Sequence, residues 1–324
     1  MNPHRVLLGL LYRKRKRTRN KRVGLPKVRG RYPFRYEARL QKVFLKQFAF
    51  VRNQFEALFE SHSPKWKEWD KRLRGDAWES DLDLLLAKFL SELQTSLNSS
   101  DVGLDVRKWV EQLSEAIAAF VTEEVARQFD VMLGERFYGG DIWWATVKKE
   151  WINLVEKRVA GQADLFFRTL QEKVFEMVKE DTPFNEIYAV VKEELQGFPE
   201  KTARFLARDL TSKLNSSITR NLHASIGIEL YLWQTMADER VRGNPAGKYP
   251  KAVPSHWEME GKVCAWKDPT VYSSDAQTWV PRTGKMPRAA PGEEWLCRCI
   301  PVPFLGELVR EADEQIAREE GDKA

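Results

Sequence analysis

A chain of 324 residues with 43% hydrophobic residues can build a sizeable core and is long enough for two domains, which excludes wholesale disorder. Its three cysteines are too few for a disulfide framework, and no run of about 18 apolar residues offers a membrane span. The opening MNPHRVLLGLLYRKRKR carries its basic cluster after the apolar run, the reverse of a secretory signal, so folding in a reducing cytoplasm is expected.

The net charge of +6 hides an asymmetry. Met1 to Tyr36 holds 13 Lys and Arg and no acid, which leaves 53 − 13 = 40 basic against 47 acidic residues, a net of −7, in the rest. So dense a block repels itself, and residues 1–36 read as a disordered arm awaiting a polyanion. Arg13, Lys14, Arg15, Lys16, Arg17, Arg19, Lys21 and Arg22 are its expected contacts with DNA phosphates, bound by counterion release. A solubilising tail or a contact with an acidic protein surface are the alternatives.

Residues 37–180 read as a helical docking region. In ARLQKVFLKQFAFVRNQFEALFE, Leu40, Phe44, Phe48, Val51, Phe55, Leu58 and Phe59 recur at helical spacing. Phe44, Phe48, Phe55 and Phe59 are expected to form a packing surface beyond what one chain buries. SHSPKWKEW, with His62, reads as a linker. Helical stripes follow in DLDLLLAKFLSELQTSL and in VRKWVEQLSEAIAAFVTEEVARQF, which includes Trp109. After Gly139–Gly140 the pattern predicts one helix from about Asp141 to Val159 and another through LFFRTLQEKVFEMVKE. Thr182 is a plausible cap for the next helix. Two helices split at Gly197–Phe198–Pro199 follow, the second ending at Gly227, a good C-terminal stop. His223 reads as a helix-face residue.

Beyond Gly227 the texture becomes rich in Gly, Pro and Trp. IELYLWQT, GKVCAWK, TWV and LCRCIPV read as short strands. The expected fold is therefore α+β and predominantly α: helices first, then a small β-rich module over residues 181–305 packed on a long helix, then a charged tail over 306–324. In LCRCIPV, Cys297 and Cys299 lie one residue apart, so on a strand they share a face and need a common third partner. A metal, a packed core or another cysteine would serve.

The succession of LTSKLNSSITRNLHASIGI, YLWQTMADERVR, HWEMEGK and PGEEWLCRC resembles the phage head morphogenesis family, the phage Mu F-like minor head proteins. The resemblance falls on Trp233, Thr235, Asp238, Arg240, Arg242, His256, Gly261, Pro291, Gly292, Cys297, Arg298 and Cys299. Thirteen residues separate Arg242 from His256, a longer gap than the family's. The resemblance implies a structural protein of the phage head, present in the virion and in the host cytoplasm during assembly. Its implied partners are portal and capsid proteins and DNA, with no membrane.

His256, Cys264, Cys297 and Cys299 form H-x7-C-x32-C-x-C, a donor set suited to structural zinc, with Asp238 able to replace Cys264. Buried small hydrophobic cysteines, or a redox or catalytic thiol, are the competing readings. A buried Asp238–arginine pair is expected to fix the turn after the first strand, and Arg298 to face away from the cysteines toward an acid such as Asp238. No catalytic residue is assigned and no enzyme is expected. The alternatives are a metal-dependent nuclease using the Cys/His module and a host nucleic-acid-binding adaptor.

Overall fold

The computed structural model describes residues 3–18, 25–72, 101–138, 140–180 and 182–321. It is mostly helical (61%), with a small antiparallel five-stranded sheet in the C-terminal region, the expected α+β arrangement. The helices among the described residues are α1 (Pro3–Thr18), α2 (Phe34–Arg72), α3 (Asp101–Leu133), α4 (Trp144–Lys179), α5 (Phe184–Ser225) and α6 (Gly306–Gly321). The strands are β1 (Leu230–Gln234), β2 (Val263–Ala265), β3 (Val271–Ser273), β4 (Trp279–Pro281) and β5 (Ile300–Pro303), in the sheet order β4-β3-β2-β1-β5. The stripe DLDLLLAKFLSELQTSL lies outside the described residues.

The chain forms two compact units that interleave in sequence: residues 1–36, 114–149 and 208–324 in the first, and 37–113 and 150–207 in the second. The 36/37 division expected from charge coincides with a unit boundary, whereas those at 180/181 and 305/306 do not.

In the second unit the helical periodicities are longer than the sequence suggested. Residues 144–179 are one helix, and α2 runs on through SHSPKWKEW to Arg72, so His62 lies in a helix and not in a linker. Likewise, α5 continues through Pro199. Proline deletes one backbone hydrogen bond and would ordinarily break the helix. Here Phe198 stacks on Phe166, with centroids 4.0 Å apart, and meets Phe48 edge-on at 5.1 Å, so tertiary packing holds the turn together. Phe44 and Phe48 are fully buried, which removes them from the expected docking surface; the side chains of Phe55 and Phe59 lie outside the described residues. Trp109, placed on an apolar stripe, is exposed instead.

In the first unit, residues 3–18 are helical, not a disordered arm. PHRVLLGLLYRKRKRT puts Leu7, Leu10 and Leu11 on one buried face, while the basic residues gather at the C-terminal end, where they complement the helix dipole. α1 packs against α6, whose Leu308, Ala312 and Ile316 are buried. The Arg15 guanidinium reaches both oxygens of Asp313 at 2.8 Å, Lys16 lies 3.4 Å from Glu319, and Tyr12 bonds Glu319. The acidic C-terminal helix thus neutralises part of the basic N-terminal one. Lys14 donates to the Met132 carbonyl, while Arg13 and Arg17 are exposed; Arg19, Lys21 and Arg22 lie outside the described residues.

Among the residues just before α2, Gly30 is tied to the end of β1. Gln234 accepts from the Gly30 N–H at 2.8 Å and donates to its carbonyl at 3.1 Å. A side chain at Gly30 would stand 2.8 Å from Ile300 Cγ2, so this close approach needs glycine. Helix α5 ends as the sequence predicts. Gly227 has φ +77°, its N–H bonds the Ala224 carbonyl, and the Ile228 N–H bonds that of His223, the paired bonds of a Schellman stop. β1 then pairs with β2 on one side (Tyr231 opposite Cys264) and with β5 on the other (Leu232 opposite Val302).

Candidate metal centre

The segment between β1 and β2 explains how His256 returns to the motif despite the long gap. Thr235 receives its turn from Glu260, which accepts from the Thr235 N–H at 2.5 Å and the hydroxyl at 2.6 Å. Asp238 then accepts from the Arg240 N–H, a side-chain-closed turn. The inserted residues leave and return at one place: the Gly243 N–H bonds the Tyr249 carbonyl, and a side chain at Gly243 would collide with Ser255. The N–H groups of His256 and Trp257 both bond the Arg242 carbonyl at 3.0 Å. The insertion is looped out, and His256 sits beside Arg242 as a short gap would have placed it.

The cysteines arrive from the other side, on a loop moulded against α5. Gly292 has φ +85°, and a side chain there would lie 2.7 Å from the Ser212 carbonyl, which accounts for the small residues of TSKLNSS. Leu296 takes a left-handed φ of +56°, uncommon without glycine, and its N–H points at the buried Asp209 carboxylate at 3.3 Å. Cys297 and Cys299 precede β5, which begins at Ile300, and do not lie on the expected strand.

The three side chains converge. His256 Nδ1 lies 3.3 Å from Cys297 Sγ and 3.4 Å from Cys299 Sγ, all three residues are buried, and the donor atoms lie within 4.8 Å of one another. Two ligands of one tetrahedral zinc, with bonds near 2.1 and 2.3 Å, stand about 3.5 Å apart, so the spacing fits a shared cation. The other ring nitrogen, Nε2, lies 2.8 Å from Glu294 Oε2. A carboxylate there accepts the Nε2 proton and leaves the Nδ1 lone pair facing the sulfurs, the outer partner that metal-binding histidines ordinarily have. Arg242 in turn holds Glu294 at 3.0 Å and touches His256 Nε2 at 2.6 Å.

The electrostatics follow. Burial pushes the Cys297 thiol up, but a hydrogen bond with Cys299, the charge and hydrogen bond of His256 and the Gly292 N–H outweigh it and bring Cys297 well below the ordinary thiol range. Cys299 is driven well above that range by burial and by its neighbour. Burial lowers His256, yet the partnership with Cys297 and Glu294 leaves it raised.

Among the described residues this His/Cys/Cys group is the cluster that could hold a metal, and it lacks both expected fourth ligands. Cys264 lies in the same apolar cluster, but its thiol is directed at the Lys262 carbonyl, 3.8 Å away. It follows β1 pairing across the sheet, not the loop that brings His256 in. Asp238 is spent on its own turn, and the arginine–carboxylate pair here is Arg242–Glu294, not one with Asp238. Arg298 does not turn to Asp238 either; its guanidinium lies 5.7 and 5.2 Å from the rings of Tyr32 and Phe34. His223 lies on α5 and outside the metal group, as expected; its face is buried, and it accepts from Trp266 Nε1. Trp233 is buried edge-on to His256, while Trp279 and Trp295 are partly exposed.

Sequence reasoning missed Glu294 and Asp209. Glu294 had a readable signal: it stands three residues before Cys297, and a buried ligand histidine calls for a nearby carboxylate. Asp209 had none, because its role depends on a loop 87 residues further on. Arg282 was also missed; it is buried and donates to the carbonyls of Val271, Pro287 and Ala289, holding the β4–β5 connection.

Fold and site together define a mostly helical protein with a small antiparallel-sheet module carrying a His/Cys/Cys group that could bind a metal. No family model and no solved structure matches the chain. An uncharacterized protein of Haemophilus influenzae is 32% identical over 106 residues, which are 33% of this chain and 18% of that protein. The match thus spans less than a fifth of that relative's length.

Proposed function

We propose that this protein is a structural minor head protein of a tailed phage, in which zinc held by His256, Cys297 and Cys299 fastens the β1–β2 insertion to the loop before β5. One observation carries the reading. The residues on which the resemblance rests, separated along the chain, meet at one place: Arg242 and His256 by backbone bonds, and His256 with Cys297 and Cys299 by donor convergence. Thr235 and Gly261 shape the same strand end, the Gly261 N–H bonding the Trp233 carbonyl. Gly292 supplies the close approach to α5. A set of positions that serves one local arrangement supports a common origin better than the same residues scattered would.

Portal and capsid proteins are the partners this reading implies, and DNA is the polyanion for the exposed cations of α1. The test is made on phage particles purified from cells producing the full chain. The protein should copurify with portal in DNA-filled heads, and heads made without it should be empty or malformed. A protein absent from particles, whose purified form cleaves DNA when metal is supplied, would replace this reading with the nuclease alternative.

A further inference from the structure

The metal group has three protein donors and faces a pocket. Zinc sites closed by four protein ligands are structural, whereas sites with three keep a position for a ligand from outside. The described residues give no fourth donor: Cys264 is turned to the Lys262 carbonyl, Asp238 caps its own turn, and Glu294 lies on the far, Nε2 side of the imidazole. His256, Cys297 and Cys299 all line a pocket of about 430 Å³ that opens to solvent.

The charge of that pocket is lopsided. Arg208, Arg240, Arg242 and Arg298 line it against Asp238, the single acid in the lining. Arg242 is occupied by Glu294, but Arg240 is exposed at the rim, with its backbone fixed by Asp238 and its side chain available. An anion entering here would meet guanidinium groups on the way to the metal, and a Cys2His zinc keeps its last position for water or an oxygen ligand from outside, so the selection for charge comes from the arginines.

We infer that the fourth coordination position is open, and that it takes an oxyanion, a phosphate or carboxylate oxygen, seated in this pocket with Arg240. This rests on the zinc reading above. It makes the site a seat for an anionic oxygen instead of a closed staple.

The test uses the full chain with cobalt(II) exchanged for zinc, after metal content has been measured. The charge-transfer intensity of the bound cobalt should correspond to two thiolates and persist in Cys264→Ala. Inorganic phosphate and acetate, titrated separately, should shift the ligand-field bands; whichever acts at lower concentration identifies the oxyanion class. Arg240→Gln should raise the required concentration roughly tenfold, the scale of one lost charge-assisted hydrogen bond, with metal content unchanged. Three-thiolate intensity, or bands indifferent to saturating phosphate and acetate while cobalt stays bound, would show a closed site and overturn the inference, leaving the zinc reading intact. An Arg240→Gln response equal to that of the unaltered protein would overturn the pocket as the anion's seat. Absence of bound metal would overturn both the inference and the zinc reading.

Discussion

The two units reach order by different physics. In the second, Leu40, Phe44, Phe48, Val51, Leu195 and Phe198 are buried at helical spacing, and specificity comes from which rings touch. In the first, the module depends on single polar atoms reaching across the sequence: Glu260 on Thr235, Asp209 on Leu296, Glu294 on His256. Hydrophobic burial is tolerant and additive over area. Convergent polar contacts are neither, because one missing partner leaves the others buried and unsatisfied. The first unit should therefore respond to metal, pH and salt, and the second chiefly to lost volume.

The largest expected contrast comes from metal. If zinc joins His256, Cys297 and Cys299, chelation should loosen the module while α2, α4 and the first half of α5 keep their amide protection in hydrogen exchange. Binding at such sites is on the order of 10 kcal/mol, so Cys297→Ser should cost far more than its small volume change. Equal loss of protection in both units, or none in either, would erase the distinction.

A cavity cut into the second unit is the converse. Phe198 touches Phe166, Phe167 and Phe48, so Phe198→Ala should cost about 3–5 kcal/mol by lost transfer energy and cavity formation. Denaturant midpoints measured with and without chelator should show the same cost. The variant should also test Pro199, since α5 passes through that proline beside the packed Phe198 ring. New exchange near residues 195–203 would show that the ring holds the helix together there.

These contrasts track what could be read in advance. Repetition is a local property, so the stripes around Phe44, Val121 and Trp151 were legible, as were the Gly227 stop and the strands at Leu230, Val263, Trp279 and Ile300. Where the reading failed, tertiary contact had overridden a local signal: Pro199 did not end its helix, and the charged block did not leave α1 unfolded, because it pairs with Asp313 and Glu319, which lie 298 residues from Arg15 and 303 from Lys16 and so are invisible locally. The candidate site was half legible. His256, Cys297 and Cys299 are types that ligate, but the choice between Cys264 and an open position is made by the direction of one thiol on β2. Sequence spacing does not encode that direction.

A smaller effect, set by pH, separates the units again. Burial alone lowers His223 to about 3 from its ordinary 6.5, and it stays neutral while accepting from Trp266. Above pH 6.5 the ring is neutral in both folded and unfolded chains and adds no pH dependence. As pH falls from 6.5 toward 3, the unfolded chain takes up a proton that the folded chain refuses, so stability is lost by about 1.4 kcal/mol per unit. His223→Gln keeps an acceptor for Trp266 but does not titrate. Its stability should fall less steeply than that of the unaltered protein, by about 2 kcal/mol between pH 6.5 and 5. Parallel profiles from chemical unfolding would mean that the buried ring is not the source of acid sensitivity.

The smallest effect on stability belongs to the α1–α6 charges, and it is the most informative about DNA. The Arg15–Asp313 pair is partly exposed on one side and well exposed on the other, 22% and 44%, so its net contribution is about 0–1 kcal/mol. Under the DNA reading proposed above, weak pairing would let this surface exchange one anion for another. Phosphates approaching Arg15 and Lys16 would then compete with Asp313 and Glu319, and each cation already neutralised would release fewer counterions. Asp313→Asn combined with Glu319→Gln should leave the unfolding midpoint nearly unchanged. It should tighten binding to nonspecific duplex and steepen the salt dependence by about 0.9 log unit per log unit of salt for each additional phosphate neutralised. Such a result would make the acidic helix a brake on the basic one, with α1 held by its leucines while its cations change partners. An unaltered slope would place DNA contact on Arg13, Arg17 and the cations beyond Thr18, and would leave the α1–α6 ion pairs as a purely internal feature of the first unit.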